Sequence, residues 1–386
     1  MQIEIDCKKF LKELEIAGKF VNLKAQGVGN GVVISATEKG DVNLTAFDNG
    51  KYQGTIKYKI KSACVNEAGD NFVEFNRLKA LLKSVSANEV ILEDRALKFD
   101  GGEITFEPLS MEEVYKYPEI TNAEELYELP AKELKRLLSD VIPAISVPTD
   151  FPRYVNACLL GSEKEHVITV ATDGRKLAVA KYHCGNIKQD KDLFLNSDSA
   201  KGLHNALEVF NDNVKVLVDG PRVWVKSDDS EFSAKWMDDV NFPLYERILN
   251  KTVEASLVCL KKDLEEAVKK VNTIAKTTTS HIMGLNIYPG QGVIMAAHSG
   301  KIGDLVTTFS KGKIEGKNLV LGINALYLLE ALKTLGDGEI IIEFSGEETQ
   351  IRFYRANDRK GLEYLLMPCH LSPAERALID TEYPED

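Results

Sequence analysis

Within 386 residues this chain holds only six cysteines (Cys7, Cys64, Cys158, Cys184, Cys259, Cys369), widely scattered and never as C-x-x-C. That excludes a disulfide scaffold and a zinc ribbon. No run of about 18 apolar residues occurs, which excludes a membrane-spanning helix, and the start MQIEIDCKKF lacks the apolar stretch of a signal peptide. G-x-x-x-x-G-K-[ST], H-E-x-x-H and G-x-S-x-G are all missing, and the six histidines show no ligand spacing. GVGNGVV at Gly27 to Val33 lacks the full dinucleotide fingerprint and runs into a strand, so it reads as a tight turn. Carboxylates are plentiful, but none stands out as a catalytic pair. Positive charge is also in deficit: 48 Lys and Arg against 59 Asp and Glu give a net charge of −11, and the surface as a whole repels polyanions and anionic lipid. A cytoplasmic chain without metal or cofactor is expected.

The apolar fraction of 44% and charged fraction of 28% are those of an ordinary globular protein. Periodicity is the first positive signal. Six amphipathic segments begin on the core-facing residues Phe10, Leu78, Leu134, Leu203, Leu264 and Leu328, at intervals of 68, 56, 69, 61 and 64. Most continue as i, i+3, i+4, i+7, for example Leu134, Leu137, Leu138, Val141, which predicts helices with one apolar stripe lying on a sheet. Between them, stretches such as VVISATEKGDVNLTAF, HVITVATDGRKLAVAKY and VKVLVDGPRVWVKS place a Gly-containing turn between β-prone runs and predict hairpins. The unit is one helix plus several antiparallel strands, repeated six times. A unit of about 64 residues has a marginal core, so the units pair into three domains, 1–126, 127–251 and 252–371, followed by an extension at 372–386.

The charge deficit is unevenly shared. The six helical segments hold 17 basic and 10 acidic residues, in a chain that is acidic overall. Lys8, Lys132, Lys201 and Lys262 each precede the first anchor by two residues, and Lys12, Lys19, Arg136 and Lys269 fall on the same outward face at about 100° per residue. Lysines on a solvated helix face are ordinary; their recurrence at one phase is the unusual part. Helices lining a common surface would bring these lysines to the phosphates of a duplex, without reading its sequence.

Four segments then carry a family signature: Tyr154 to Leu160 (YVNACLL), Val170 to Val179 (VATDGRKLAV), Phe242 to Leu249 (FPLYERIL) and Tyr364 to Leu371 (YLLMPCHL). In order and spacing they resemble the bacterial DNA polymerase III β subunit, the β sliding clamp family. The resemblance covers essentially residues 1 to 371, more by layout than by residue in the first domain. It implies an α+β fold of three tandem clamp-type domains that closes into a ring as a head-to-tail homodimer around double-stranded DNA. It also implies a non-catalytic processivity factor, placed on DNA by a clamp loader, that tethers the DNA polymerase catalytic subunit and other clamp-motif proteins. Carried over residue by residue, the partner-peptide pocket is Val155, Thr172, Gly174, Arg175, Leu177, Pro243, Arg247, Ile248, Tyr327, Met367, Pro368 and Leu371. Lys83, Arg153 and Tyr154 join the DNA-contacting set, and Ile104, Phe106 and Ile274 are the candidates for the dimer interface.

Three departures from the family stand out. Arg175 and Lys176 replace the usual His and Arg, His370 replaces a basic residue, and the chain runs fifteen residues past Leu371. The extension is expected to be a mobile acidic end; the alternative is that Ala377, Leu378 and Ile379, followed by Asp380, Glu382, Glu385 and Asp386, occupy the pocket. Two rival readings of the whole chain are a β-rich enzyme without a short catalytic motif and a two-domain trimeric clamp. The second is disfavoured because six repeats already lie in one chain.

Overall fold

The computed structural model describes residues 1–22, 27–48, 54–114, 118–146, 153–238 and 240–384. Among them the α-helices are α1 (Cys7–Ala17), α2 (Phe75–Ser84), α3 (Ala131–Val141), α4 (Ser197–Ala206), α5 (Glu246–Leu249), α6 (Lys261–Ala275), α7 (Ala325–Leu335) and α8 (Pro373–Ile379). The six longer ones coincide with the six periodic segments, and all six anchors from Phe10 to Leu328 are buried. Local chemistry fixes several starts. Asp6, Asn196 and Asn324 place a side-chain oxygen on the free N–H groups of α1, α4 and α7, a cap worth about 1 kcal/mol each. The three expected hairpins form, and the Gly27–Asn30 segment is a short 3-10 turn leading into the strand Gly31–Ala36.

Two compact units result: residues 1–138, 160–167 and 183–239, and residues 139–159, 168–182 and 240–386. In the first, a five-stranded antiparallel sheet runs in the order Ala63–Glu67, Gln2–Asp6, Glu89–Glu93, Ala96–Phe99, Gly102–Thr105. An eight-stranded sheet joins strands of two repeats where Ser230–Lys235 pairs with Gly54–Ile60. In the second unit, Lys176–His183 pairs antiparallel with Leu362–Leu366, and the sheet continues through Ile351–Arg355, Glu339–Phe344, Ala255–Leu260 and Lys313–Gly316. A four-stranded sheet follows the order Gly303–Phe309, Gly292–Ser299, Ile282–Tyr288, Leu319–Asn324. Leu264 of α6 and Leu328 of α7 share a core with Leu257, Val293, Ile342 and Phe353.

The extension corrects an expectation. It is not a mobile end: Ser372 forms a capping box with Glu375, and α8 packs on the four-stranded sheet together with Leu371. Ile379 is fully buried against Ile294 and Ala296. These alternate with the core-facing Val293 and Met295, so α8 covers the face away from α6. Buried Asn286 donates to the Ile379 carbonyl at 2.8 Å, the Tyr288 hydroxyl to that of Thr381, and the rings of Tyr288 and Tyr383 lie 5.6 Å apart. Glu385 and Asp386 lie outside the described residues.

Candidate docking pocket and charged helix faces

The sequence Thr172 to Lys176 builds a tight turn from its own polar groups. Asp173 accepts from the N–H groups of Arg175 and Lys176, both at 2.9 Å, and Thr172 Oγ1 donates to the Lys176 carbonyl at 2.7 Å. Gly174 has φ +84°, which an L side chain rarely tolerates. The turn is then joined to the end of the chain. Met367 N–H donates to the Arg175 carbonyl at 2.8 Å, and Lys176 stands across from Leu366, which stands across from Ile351. One residue on, Leu177, Leu365 and Arg352 align in the same way, on the opposite face of the sheet.

That alternation divides the candidate pocket. On the α7 side, buried Lys176 reaches Glu330 at 2.6 Å and lies over the Tyr327 ring at 4.8 Å. Tyr327 also hydrogen-bonds Arg175, which raises the pKa of that guanidinium further, so Arg175 stays charged at any working pH. On the other side lies buried Leu177, and Val155 is buried in the turn before the strand Ala157–Glu163. Pro243, Arg247 and Ile248 belong to a segment tied to the start of Ile351–Arg355, where Gln350 donates to the Ile248 carbonyl at 2.7 Å. Pro368 and Leu371 line a cleft of about 250 Å³ together with His370, Glu347 and Arg376 of α8. Three exposed apolar side chains fall on these segments: Leu244 at 62%, Met367 at 43% and Ile248 at 40%. Leu244 escaped the sequence reading, although an apolar residue directly after Pro243 and outside any helical or strand period was its signal; Leu365 and Glu330 escaped because both look like ordinary periodic positions.

The helix faces divide into two groups. Lys8, Lys12, Lys83, Lys132, Lys201 and Lys262 are exposed and, among the described residues, have no carboxylate within ion-pair distance. Lys19, Arg136 and Lys269, expected in the same role, are instead engaged by carboxylates: Lys19 by Glu208 at 2.6 Å, Arg136 by Glu133 at 2.8 Å, and Lys269 by Glu265. Glu133 and Glu265 stand three and four residues before their partners, the spacing of neighbours on a helix face; only Glu208, the partner of Lys19, comes from a distant segment that helical phase could not reveal. Tyr154 is half-buried with its ring 6.3 Å from that of Phe242; the side chain of Arg153 lies outside the described residues.

Of the interface candidates, Ile104 sits half-buried on Gly102–Thr105, an edge strand, and Ile274 half-buried on α6. Phe106 is only 8% exposed and its N–H donates to the Arg95 carbonyl, so this ring is largely spent inside its own chain. Gly303–Phe309, with exposed Val306 and next to exposed Ile302, is also an edge strand.

Residues 246–370 match the family described as DNA polymerase III beta subunit, C-terminal domain. The beta sliding clamp of Streptococcus pneumoniae is 23% identical over 384 residues, covering 95% of this chain and 99% of its own. The crystal structure of the beta subunit from DNA polymerase of Streptococcus pyogenes matches with a TM-score of 0.86 at 18% identity, over 96% of this chain and 100% of the other. A Pseudomonas aeruginosa sliding clamp bound to griselimycin matches at 0.82 and 20%, over 96% and 100%. The fold, helices on antiparallel sheets in repeated units, is that of a sliding clamp. Over residues 246–370 the chain matches the C-terminal domain of the beta subunit, and along nearly its whole length it is similar to beta sliding clamps.

Proposed function

We propose that this chain is a processivity clamp: three domains (1–126, 127–251, 252–371) per copy, two copies closed head to tail into a ring around duplex DNA. The observation that carries it is the recurrence of an exposed lysine two residues before a buried anchor, at Lys8, Lys132, Lys201 and Lys262, in an acidic protein. Free ammonium groups on repeated helices suit phosphates of any sequence, and the acidic remainder keeps the grip weak, so topology does the holding. The edges Gly102–Thr105 and Gly303–Phe309, with Ile104 and Val306, are where copies would join, since closure covers open sheet edges. The pocket around Leu177, Ile248 and Met367, rimmed by Arg175 and Arg247, suits a short linear motif with apolar side chains and an acidic flank. Through it the clamp would hold the polymerase catalytic subunit and other clamp-motif proteins, after loading by a clamp loader, in the cytoplasm and without catalysis of its own. Among the described residues no helix is long and apolar enough to cross a membrane.

Solution mass and DNA retention test this. A species near twice 42.9 kDa that, once loaded, leaves linear DNA from its ends yet stays on a nicked circle is expected. A monomer at micromolar concentration, or strong sequence preference on short duplexes, would overturn it.

A further inference from the structure

The segment carrying Pro243, Arg247 and Ile248 has little structure of its own. α5 is a single turn, far below the length at which a helix persists alone in water, and its last carbonyls have no helical partners. Two buried side chains supply them. Gln350, 2% exposed, donates through Nε2 to the Ile248 carbonyl at 2.7 Å. Arg352 donates through Nη1 to the Leu249 carbonyl at 2.9 Å and through Nη2 to that of Lys251 at 3.1 Å. Arg352 projects from the face that carries Leu365 and Leu177, each directly across from the next. Two strand spacings of about 4.8 Å therefore separate the base of Arg352 from that of Leu177. Its charge is met by Glu343 at 3.1 Å, and Glu343 is held a second time by Arg359.

We propose that Gln350 and Arg352 are positioning residues for the docking pocket, pinning the carbonyls of α5 so that Ile248 stands as a fixed apolar wall beside Leu177. This rests on reading the site as a docking pocket. An unpinned segment bearing Ile248 and Leu244 would turn these side chains inward, away from water. Pinned through its backbone, it presents them to a partner that neither Gln350 nor Arg352 has to touch. The wall is thus assembled before the partner arrives, and the ordering cost is not charged to binding.

Calorimetric titration of the full chain with griselimycin, the ligand of the Pseudomonas aeruginosa relative, tests the proposal. Arg352→Met keeps the length of the side chain and leaves Glu343 paired with Arg359; Gln350→Leu removes a single donor and serves if the first variant folds poorly. Each is expected to weaken binding about tenfold, the scale of one lost hydrogen bond, with dimer mass and DNA retention unchanged. Arg352→Lys should recover part of the loss. The decisive readout is coupling: if the clasp acts through the wall, Arg352→Met added to Ile248→Ala costs less than about twofold more. Unchanged affinity in both clasp variants, or losses that multiply, would overturn the proposal. A wild-type chain that does not bind griselimycin at all would overturn the docking reading, and the clasp with it.

Discussion

Lysine does opposite work in two regions of this molecule. On the long helices, Lys8, Lys132, Lys201 and Lys262 stand in water as free charges. At the hairpin end of the sheet, Lys176 is buried between Glu330, Asp173 and the ring of Tyr327, and Arg352 is spent on two carbonyls and a carboxylate. A free charge can answer a polyanion anywhere along its length and contributes little to folding. A charge with buried partners cannot be offered to a ligand; it builds the wall against which another side chain is presented. Counting basic residues near a candidate site confuses the two, and only the partners tell them apart.

The largest expected effect is on the free group. Replacing Lys8, Lys132, Lys201 and Lys262 together by Glu should lower the slope of log affinity against log salt by up to roughly 7, about 0.9 for each of the four lysines in each of the two copies. Melting should move little, since exposed substitutions of this kind cost within about 0.5 kcal/mol each. If filter binding across a salt series gives an unchanged slope, these lysines are surface charge and nothing more.

The contrast also explains what the sequence disclosed. The helices were legible because each is one contiguous period with its anchor in every turn, and the outward phase of Lys132 follows from Leu134 by arithmetic. Lys19 looked equally free in that arithmetic, but its partner Glu208 arrives from a segment 189 residues away. The candidate pocket was legible only as a family pattern, because Leu177, Ile248 and Tyr327 come from three separate stretches that share no period. Gln350 and Arg352 read as polar positions on a strand until the carbonyls of α5 are placed on them. The extension was misjudged as mobile for the same reason. Its seat is written elsewhere, in Gly284 and Gly292, glycines inside strands where a close approach is to be suspected.

That seat gives the next effect in size. Deleting residues 372–386 should cost about 3 kcal/mol or more, since it uncovers Ile294 and Ala296 and removes buried Ile379. Gly284 makes the claim sharper, because a Cβ there would lie 2.7 Å from Ile379 Cδ1. Gly284→Ala should therefore destabilise the full chain by about 1–3 kcal/mol through overpacking. In the shortened chain the same change should be neutral or stabilising, because a strand glycine gains from a side chain. A denaturant titration in which the substitution has the same sign in both backgrounds would remove α8 from that face.

The smallest effect converts a paired lysine into a free one. Glu208 Oε2 holds Lys19 at 2.6 Å and its Oε1 lies 3.8 Å from Lys135. Burial pushes the Glu208 carboxyl up, but the hydrogen bond and charge of Lys19, with Lys135, outweigh it and leave the pKa below its ordinary value. A carboxylate with a depressed folded pKa stabilises above the unfolded value of about 4.3, and that contribution fades as the pH falls through the folded pKa. Glu208→Gln should hence cost about 0.2–1 kcal/mol at neutral pH, the range of an exposed ion pair, and the two proteins should converge in acid. On DNA the sign reverses: with Lys19 released in both copies, the salt slope should steepen by roughly 2. An unchanged slope alongside the expected loss of stability would mean that Lys19 cannot reach the phosphates even when free, and that carboxylate pairing is not what sets the two groups of lysines apart.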